Sequence, residues 1–203
     1  MDDIPLFPLG NALFPAGVLS LQVFEVRYLD MVKKCIANQS EFGVVILLSG
    51  REVRTPEGTE TLAGVGTLAR IDECRTIMPG LLQLRCSGTT RFRLLSSSQG
   101  KYGLWTGSIS VLPDDPETPI DPTLQPCADT LGKLIAELQR EGVSPQEMPI
   151  APPFRLDDAG WVANRWSELL PLSPQTKADL LSQENPTDRL EEVHQVLLSR
   201  GLL

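Results

Sequence analysis

The chain has 203 residues, 41% of them hydrophobic and 22% charged, with a formal net charge of −8. This composition is that of an ordinary globular protein and excludes a disordered chain. The excess of acids, with no dense cluster of Lys and Arg, argues against nucleic acid as a partner, because displacing counterions from phosphates needs a strongly positive surface. A membrane partner is likewise not expected: no apolar run approaches the roughly 18 to 20 residues of a membrane helix, and the Met-Asp-Asp opening lacks the features of a secretory signal. The expected location is the cytoplasm.

In chain order, residues 4–32, IPLFPLGNALFPAGVLSLQVFEVRYLDMV, come first. Pro5, Pro8 and Pro15 fix φ and bias the residues before them toward extended backbone, while Leu6, Phe7, Leu9, Leu13 and Phe14 supply apolar anchors for an otherwise mobile terminus. VLSLQV (18–23) alternates as a strand does. EVRYLDMVKKCIANQ (25–39) then places Tyr28, Leu29, Val32, Cys35 and Ile36 on one helical face. Glu25 and Arg27 flank this junction, where they pair with each other or with backbone groups; for Arg27, contact with a ligand stands beside that fold role.

FGVVILL (42–48) is continuously apolar and rich in β-branched and aromatic residues, as suits a strand buried on both sides. The polar stretch 49–64 reads as a loop or exposed hairpin. Strands follow in VGTLARID (65–72), LLQLRCSG (81–88), TRFRLLSS (90–97) and YGLWTGSISV (102–111), separated by Gly, Ser and Pro as in barrels and sandwiches. Phe92 and Leu94 alternate with Arg91 and Arg93, which predicts one buried side and one wetted side.

Charge then changes character. Residues 1–112 hold 11 Lys and Arg against 10 Asp and Glu, whereas residues 113–203 hold 7 against 16. The proline- and acid-rich LPDDPETPIDP lies between them and interrupts both strand and helix. The reading is therefore a β-rich part over 1–112 with one helix, a linker over 113–120, and a helical part over 121–203. In that last part Asp121-Pro122 opens a helix with Leu124, Cys127, Ala128, Leu131, Ile135 and Leu138 inward and Gly142 at its end. Ser144 to Glu147 matches a capping box followed by prolines that leave room only for a turn. Asp157 or Asp158 opens a helix bearing Trp161, Val162, Trp166, Leu169 and Leu170. Ser173-Pro174 opens another, and Asn185-Pro186 opens a last one with Leu190, Val193, Leu197 and Leu198, closed by Gly201.

Chemistry-bearing patterns are sparse. Cys35, Cys74, Cys86 and Cys127 are far apart with a single histidine in the chain, so zinc has too few ligands and three of the thiols read as small buried hydrophobes. Cys74, beside Arg75, has the better claim to reactivity. GVGTLA (64–69) satisfies G-x-G-x-x-A, but its glycines enter a strand instead of joining a strand to a helix, so no dinucleotide cofactor is expected. No phosphate-binding loop, nucleophile elbow or H-E-x-x-H occurs. His194 reads as a helix-surface or interface residue. The pairs Asp114–Asp115 and Asp157–Asp158 are explained by solvation and capping. Asn38-Gln39-Ser40 matches a glycosylation acceptor by chance.

PLFPLGNALFPAGVLSLQVFEVRYLDMV strongly resembles the start of the Lon protease N-terminal domain family. FGVV at 42–45, GVGTLARI at 64–71, GLLQLRCSGTTRFRL at 80–94 and Tyr102 recur in the family's order. WSELLPLSPQTKADLLSQENPTDRLEEV (166–193) looks like the helices that follow. The resemblance implies an α+β fold: a β-rich, barrel-like (PUA-like) part with one helix, then an α-helical bundle. It also implies engagement of polypeptide substrates, without the ATPase and Ser-Lys peptidase that follow this domain in the full protease, in a stand-alone member of the family.

The leading expectation is thus a non-catalytic module, without cofactor or metal, that binds unfolded polypeptide or a protein partner as a substrate-recognition or adaptor unit. The candidate surface is the turn in CRTIMPGLLQL, with Met78, Pro79 and Leu81 beside a glycine where apolar groups are hard to hide, together with Arg27; a tip folded onto its own core is the alternative. Pairing of an extended peptide with a strand edge is a second mode. Two other readings compete: a self-associating structural protein, such as a homodimer, and a small hydrolase built from distant residues.

Overall fold

The computed structural model describes residues 3–52, 60–144 and 147–203. Among the described residues, six strands and five α-helices form a mixed α+β fold, with a β-sheet part followed by a helical bundle. The elements are β1 (Ile4–Leu9), β2 (Val18–Val23), α1 (Val26–Asn38), β3 (Phe42–Ser49), β4 (Thr61–Met78), β5 (Leu81–Gln99) and β6 (Trp105–Val111), then α2 (Gln125–Arg140), α3 (Ala159–Leu169), α4 (Pro174–Ser182) and α5 (Pro186–Ser199).

The strands lie in the order β2-β5-β4-β3-β1-β6, and β6 also pairs with β5. Strands β5, β4, β3, β1 and β6 are therefore joined in a closed circuit, with β2 attached outside it. β1 runs parallel to β3 and antiparallel to β6 although it carries two prolines. Pro5 and Pro8 are three residues apart, so their missing N–H groups face opposite neighbours. β6 pairs only as far as Leu6 and β3 only from Leu6 onward, so each proline has one side without a partner strand.

Three apolar clusters hold the fold. Leu6, Val45 and Phe92 fill the inside of the strand circuit. Gly66 makes room there: a Cβ on it would overlap the Val44 carbonyl and the Phe92 ring. Within GVGTLA, the second glycine thus serves packing. Tyr28, Met31, Val32 and Cys35 of α1 pack against Phe7, Val23, Phe42, Val44, Leu84 and Cys86. The helical bundle forms the third cluster around Leu131, Trp161, Val162, Trp166, Leu190 and Val193, and it reaches the sheet through Phe14, Ile46, Ala63 and Val65. β3 is accordingly buried on both sides.

The helix signals in the sequence hold at several ends. Asp158, Ser173 and Asn185 accept from the N–H groups of Gly160, Thr176 and Thr187 at the starts of α3, α4 and α5. Gly142 and Gly201 end α2 and α5 with positive φ.

Several expectations are corrected. Residues 61–64 belong to β4, while 53–59 of the expected loop lie outside the described residues. LLQLRCSG and TRFRLLSS form one strand, β5, because Gly88 and its neighbours continue the pairing with β4 through a bulge instead of turning. α2 begins at Gln125, since Asp121 is engaged in a local turn, accepting from the N–H and hydroxyl of Thr123, and Pro126 sits at the helix start. Ile36 and Leu198 are exposed, one position off the buried stripes of their helices. In the 144–147 segment the Ser144 hydroxyl donates to Glu147 Oε2, and Pro145 and Gln146 lie outside the described residues.

Candidate functional site

One end of the sheet carries exposed apolar groups on rigid backbone. β4 and β5 are joined through Met78↔Leu81, with Pro79 and Gly80 between them. Gly80 has φ +82°, and Pro followed by such a glycine is what a type II turn requires. Ile77 and Met78 are 52% and 55% exposed, Pro79 is exposed, and Leu81 is half-buried. β2 reaches the same end: its pairing with β5 finishes at Val23↔Leu82, so Phe24 follows beside the tip. Phe24 and Val26 are 55% and 59% exposed. Sequence reading singled out Met78, Pro79 and Leu81 but not Phe24, because only strand pairing between distant segments brings Phe24 to the tip; Val26 is already the first residue of α1.

Arg27 sits elsewhere and is almost wholly buried in the first turn of α1. Its Nε donates to Glu25 Oε2 at 3.1 Å, its Nη1 to the Gly103 carbonyl at 2.9 Å and its Nη2 to the Glu52 carbonyl at 3.4 Å. Its guanidinium lies 4.5 Å from the Tyr28 ring centroid, and Tyr28 in turn stacks on Phe7 at 4.0 Å. Burial pushes the Tyr28 hydroxyl well above its ordinary pKa, against the pull of Arg27. These contacts tie α1 to the 3-10 turn Lys101–Gly103, where Tyr102 holds φ +59° and Gly103 φ +74°. None of the contacts reaches the β4–β5 tip.

Two buried charge clusters were not legible in the sequence. Asp115, expected to be solvated, accepts from Arg91 Nη2 at 2.7 Å and from Arg189 Nη1 at 2.6 Å. Arg91, expected on the wetted side of its strand, is buried and also donates to the carbonyls of Leu181, Gln183 and Pro113. Burial, and then Arg189, hold the pKa of Arg91 below its usual value. In the second cluster Glu168 accepts from the Phe14 N–H at 2.8 Å and pairs with Arg165 at 3.1 Å. Arg165 also donates to the Pro15 carbonyl, and Lys177 donates to Asn11 and to the Glu168 carbonyl. This cluster pins the loop after β1 onto α3 and α4. Apart from the i,i+3 pair Arg165–Glu168, no sequence spacing joins these residues.

Three of the four thiols are placed for packing. Burial raises the pKa of Cys35, and raises Cys86 to about 12 and Cys127 to about 11, so these thiols stay protonated. Cys74 is exposed on β4. His194 faces an open depression lined by Asp188, Glu191, Glu192 and Thr123, and the Thr123 hydroxyl is already donating to Asp121. Among the described residues no group of three or more His, Cys, Asp or Glu is arranged to hold a metal ion. No described helix is long and apolar enough to cross a membrane.

The charged groups therefore serve the architecture, and the sheet end presents exposed apolar side chains. A family model described as the ATP-dependent protease La (LON) substrate-binding domain matches residues 3–199, and the chain belongs to that family. Among solved structures, a Lon N-terminal domain protein from Xanthomonas campestris is 31% identical, with a TM-score of 0.73 over 96% of this chain and 98% of that one. The N-terminal domain of a Mycobacterium avium complex Lon protease shares the fold, at 16% identity and a TM-score of 0.59 over 95% and 96% of the two chains. No curated protein matches the chain.

Proposed function

We propose that this protein binds unfolded or extended polypeptide at the apolar end of its sheet and acts as a substrate-recognition or adaptor unit in proteolysis or protein quality control. The carrying observation is that the pairings Val23↔Leu82 and Met78↔Leu81 bring Phe24, just past the end of β2, beside Met78 and Ile77, each of the three more than half exposed. Apolar groups held on rigid backbone bind apolar side chains with little loss of conformational freedom, and methionine adapts to varied partners. Pro79 and Leu81 complete that surface. The family's description as a substrate-binding domain supports the same reading.

The finer architecture goes with this proposal. The closed circuit of five strands supports a barrel-like, PUA-like β part ending near residue 112, a linker over 113–120 and a helical part from 121. Four free thiols fit a reducing compartment such as the cytoplasm. The same apolar end is where a second copy would dock in a homodimer. The test is a titration of fluorescein-labelled, reduced and carboxymethylated lactalbumin with the protein and its Met78→Asp variant. Saturable binding that weakens by about tenfold or more in the variant is expected, since removing one buried apolar side chain costs about 1.5–3 kcal/mol. No binding by the unaltered protein, or equal binding by both, overturns the proposal.

A further inference from the structure

A groove of about 380 Å³ runs between α1 and the segment that joins β5 to β6. Its α1 wall is formed by residues 27, 30, 31, 34, 35 and 38, a single helical face. The eleven rises of 1.5 Å from residue 27 to residue 38 make this wall about 16 Å long. The buried Met31 and Cys35 lie on it, with the half-buried Leu104 among the groove's other lining residues. The opposite lip is Lys101 and Tyr102, the latter 57% exposed on left-handed backbone that Arg27 holds through the Gly103 carbonyl. A strained, exposed aromatic residue at the edge of a cleft is a mark of a binding site.

We infer that this groove seats an extended polypeptide segment of about five residues, with one apolar side chain in the groove beside Met31 and Cys35. The inference rests on the polypeptide-binding reading above and assigns it a second contact site. Three features select this occupant. The wall length equals that of five residues at about 3.3 Å each. The rim carries Lys34 and Lys101 against Asp3 and Asp30, so it offers both signs, as a peptide backbone with mixed side chains requires and a polyanion does not. Finally, the floor is apolar at Met31, Cys35 and Leu104 beneath that charged rim, as one apolar side chain carried on a polar backbone requires.

The test uses a fluorescent heptapeptide, Gly-Ser-Ala-X-Ala-Ser-Gly, with photoreactive leucine at X, irradiated with the full chain and mapped by mass spectrometry. Crosslinks on residues 27–40 and 100–106 are expected. Lys34→Trp, which places a bulky ring over the groove from an exposed helix position, lowers their yield at least tenfold, whereas Met78→Asp leaves it within twofold. Asn38→Trp, at the other end of the same wall, serves if Lys34→Trp melts early. Crosslinks confined to residues 77–82, or a yield unchanged by both tryptophans, overturn the groove and leave polypeptide binding standing. Absence of any crosslink, together with absence of lactalbumin binding, overturns both.

Discussion

Arg189 and Asp115 meet across the join between the last helix and the segment leaving the sheet, with Arg189 Nη1 2.6 Å from Asp115 Oδ2 and Nη2 3.1 Å from Oδ1. Arg189 Nη1 also donates to Asn164 Oδ1 at 2.9 Å, its Nε donates to the Leu180 carbonyl, and its Nη2 donates to that of Gln183. One carboxylate thus neutralises two buried arginines, Arg91 from β5 and Arg189 from α5. Removing it leaves both cations buried and uncompensated. Asp115→Ala is expected to lower unfolding stability by about 3–5 kcal/mol, read from urea melts. A loss below 1 kcal/mol would mean that the cluster does not join the two parts of the fold.

Gly66 and Gly64 give a contrast within one strand. Gly66→Ala pushes a methyl into the Val44 carbonyl and the Phe92 ring, and overpacking of this kind costs about 1–3 kcal/mol. Gly64→Ala meets open space and is expected to change stability by less than about 0.5 kcal/mol. Thermal melts of the two variants check this. Equal effects would contradict the packing role assigned to Gly66.

Glu168 supplies a pH dependence. Burial raises its pKa, against the opposing pull of Arg165, the Phe14 N–H and Lys177. The folded state then holds the proton to higher pH than the unfolded chain does. Glu168's contribution is therefore fully present below the ordinary glutamate pKa, about 4.3, and is lost as pH rises through the higher folded value. The difference in unfolding free energy between wild type and Glu168→Gln is expected to fall with rising pH across that window, measured by denaturant titration. A difference that stays flat or rises would show that Glu168 is ionised in the folded state at least as readily as in the unfolded chain.

Thiol reactivity should follow burial. Cys74 is exposed, whereas burial raises Cys86 to about 12 and Cys127 to about 11. Iodoacetamide at pH 8, followed by peptide mapping, is expected to modify Cys74 well before the other two. Modification of Cys127 at a comparable rate would contradict the packing of α2 described above.

What could be read from the sequence and what could not follow from the range of the forces involved. Short-range signals succeeded: alternation gave β2, the apolar run gave β3, and Asp158, Ser173 and Asn185 marked three helix starts because a cap acts over two or three residues. Glycine and serine do not by themselves break a strand, since β5 absorbs Gly88 through its pairing with β4. Strand alternation does not place Arg91, because its partners are 22 to 92 residues away. At the candidate site, Met78, Pro79 and Leu81 were legible as a turn rich in apolar groups. Phe24 was not, because it is the register Val23↔Leu82 that carries it to the same place.

Hydrogen exchange on the full chain, with and without saturating carboxymethylated lactalbumin, tests the central claim most directly. The expected result is slowed exchange at residues 22–26 and 77–82, persisting in 0.5 M salt because apolar contacts are not screened as charge pairs are. A complex that leaves both segments exchanging at their free rates, or that dissolves in the added salt, would contradict recognition of polypeptide by the apolar end of this sheet.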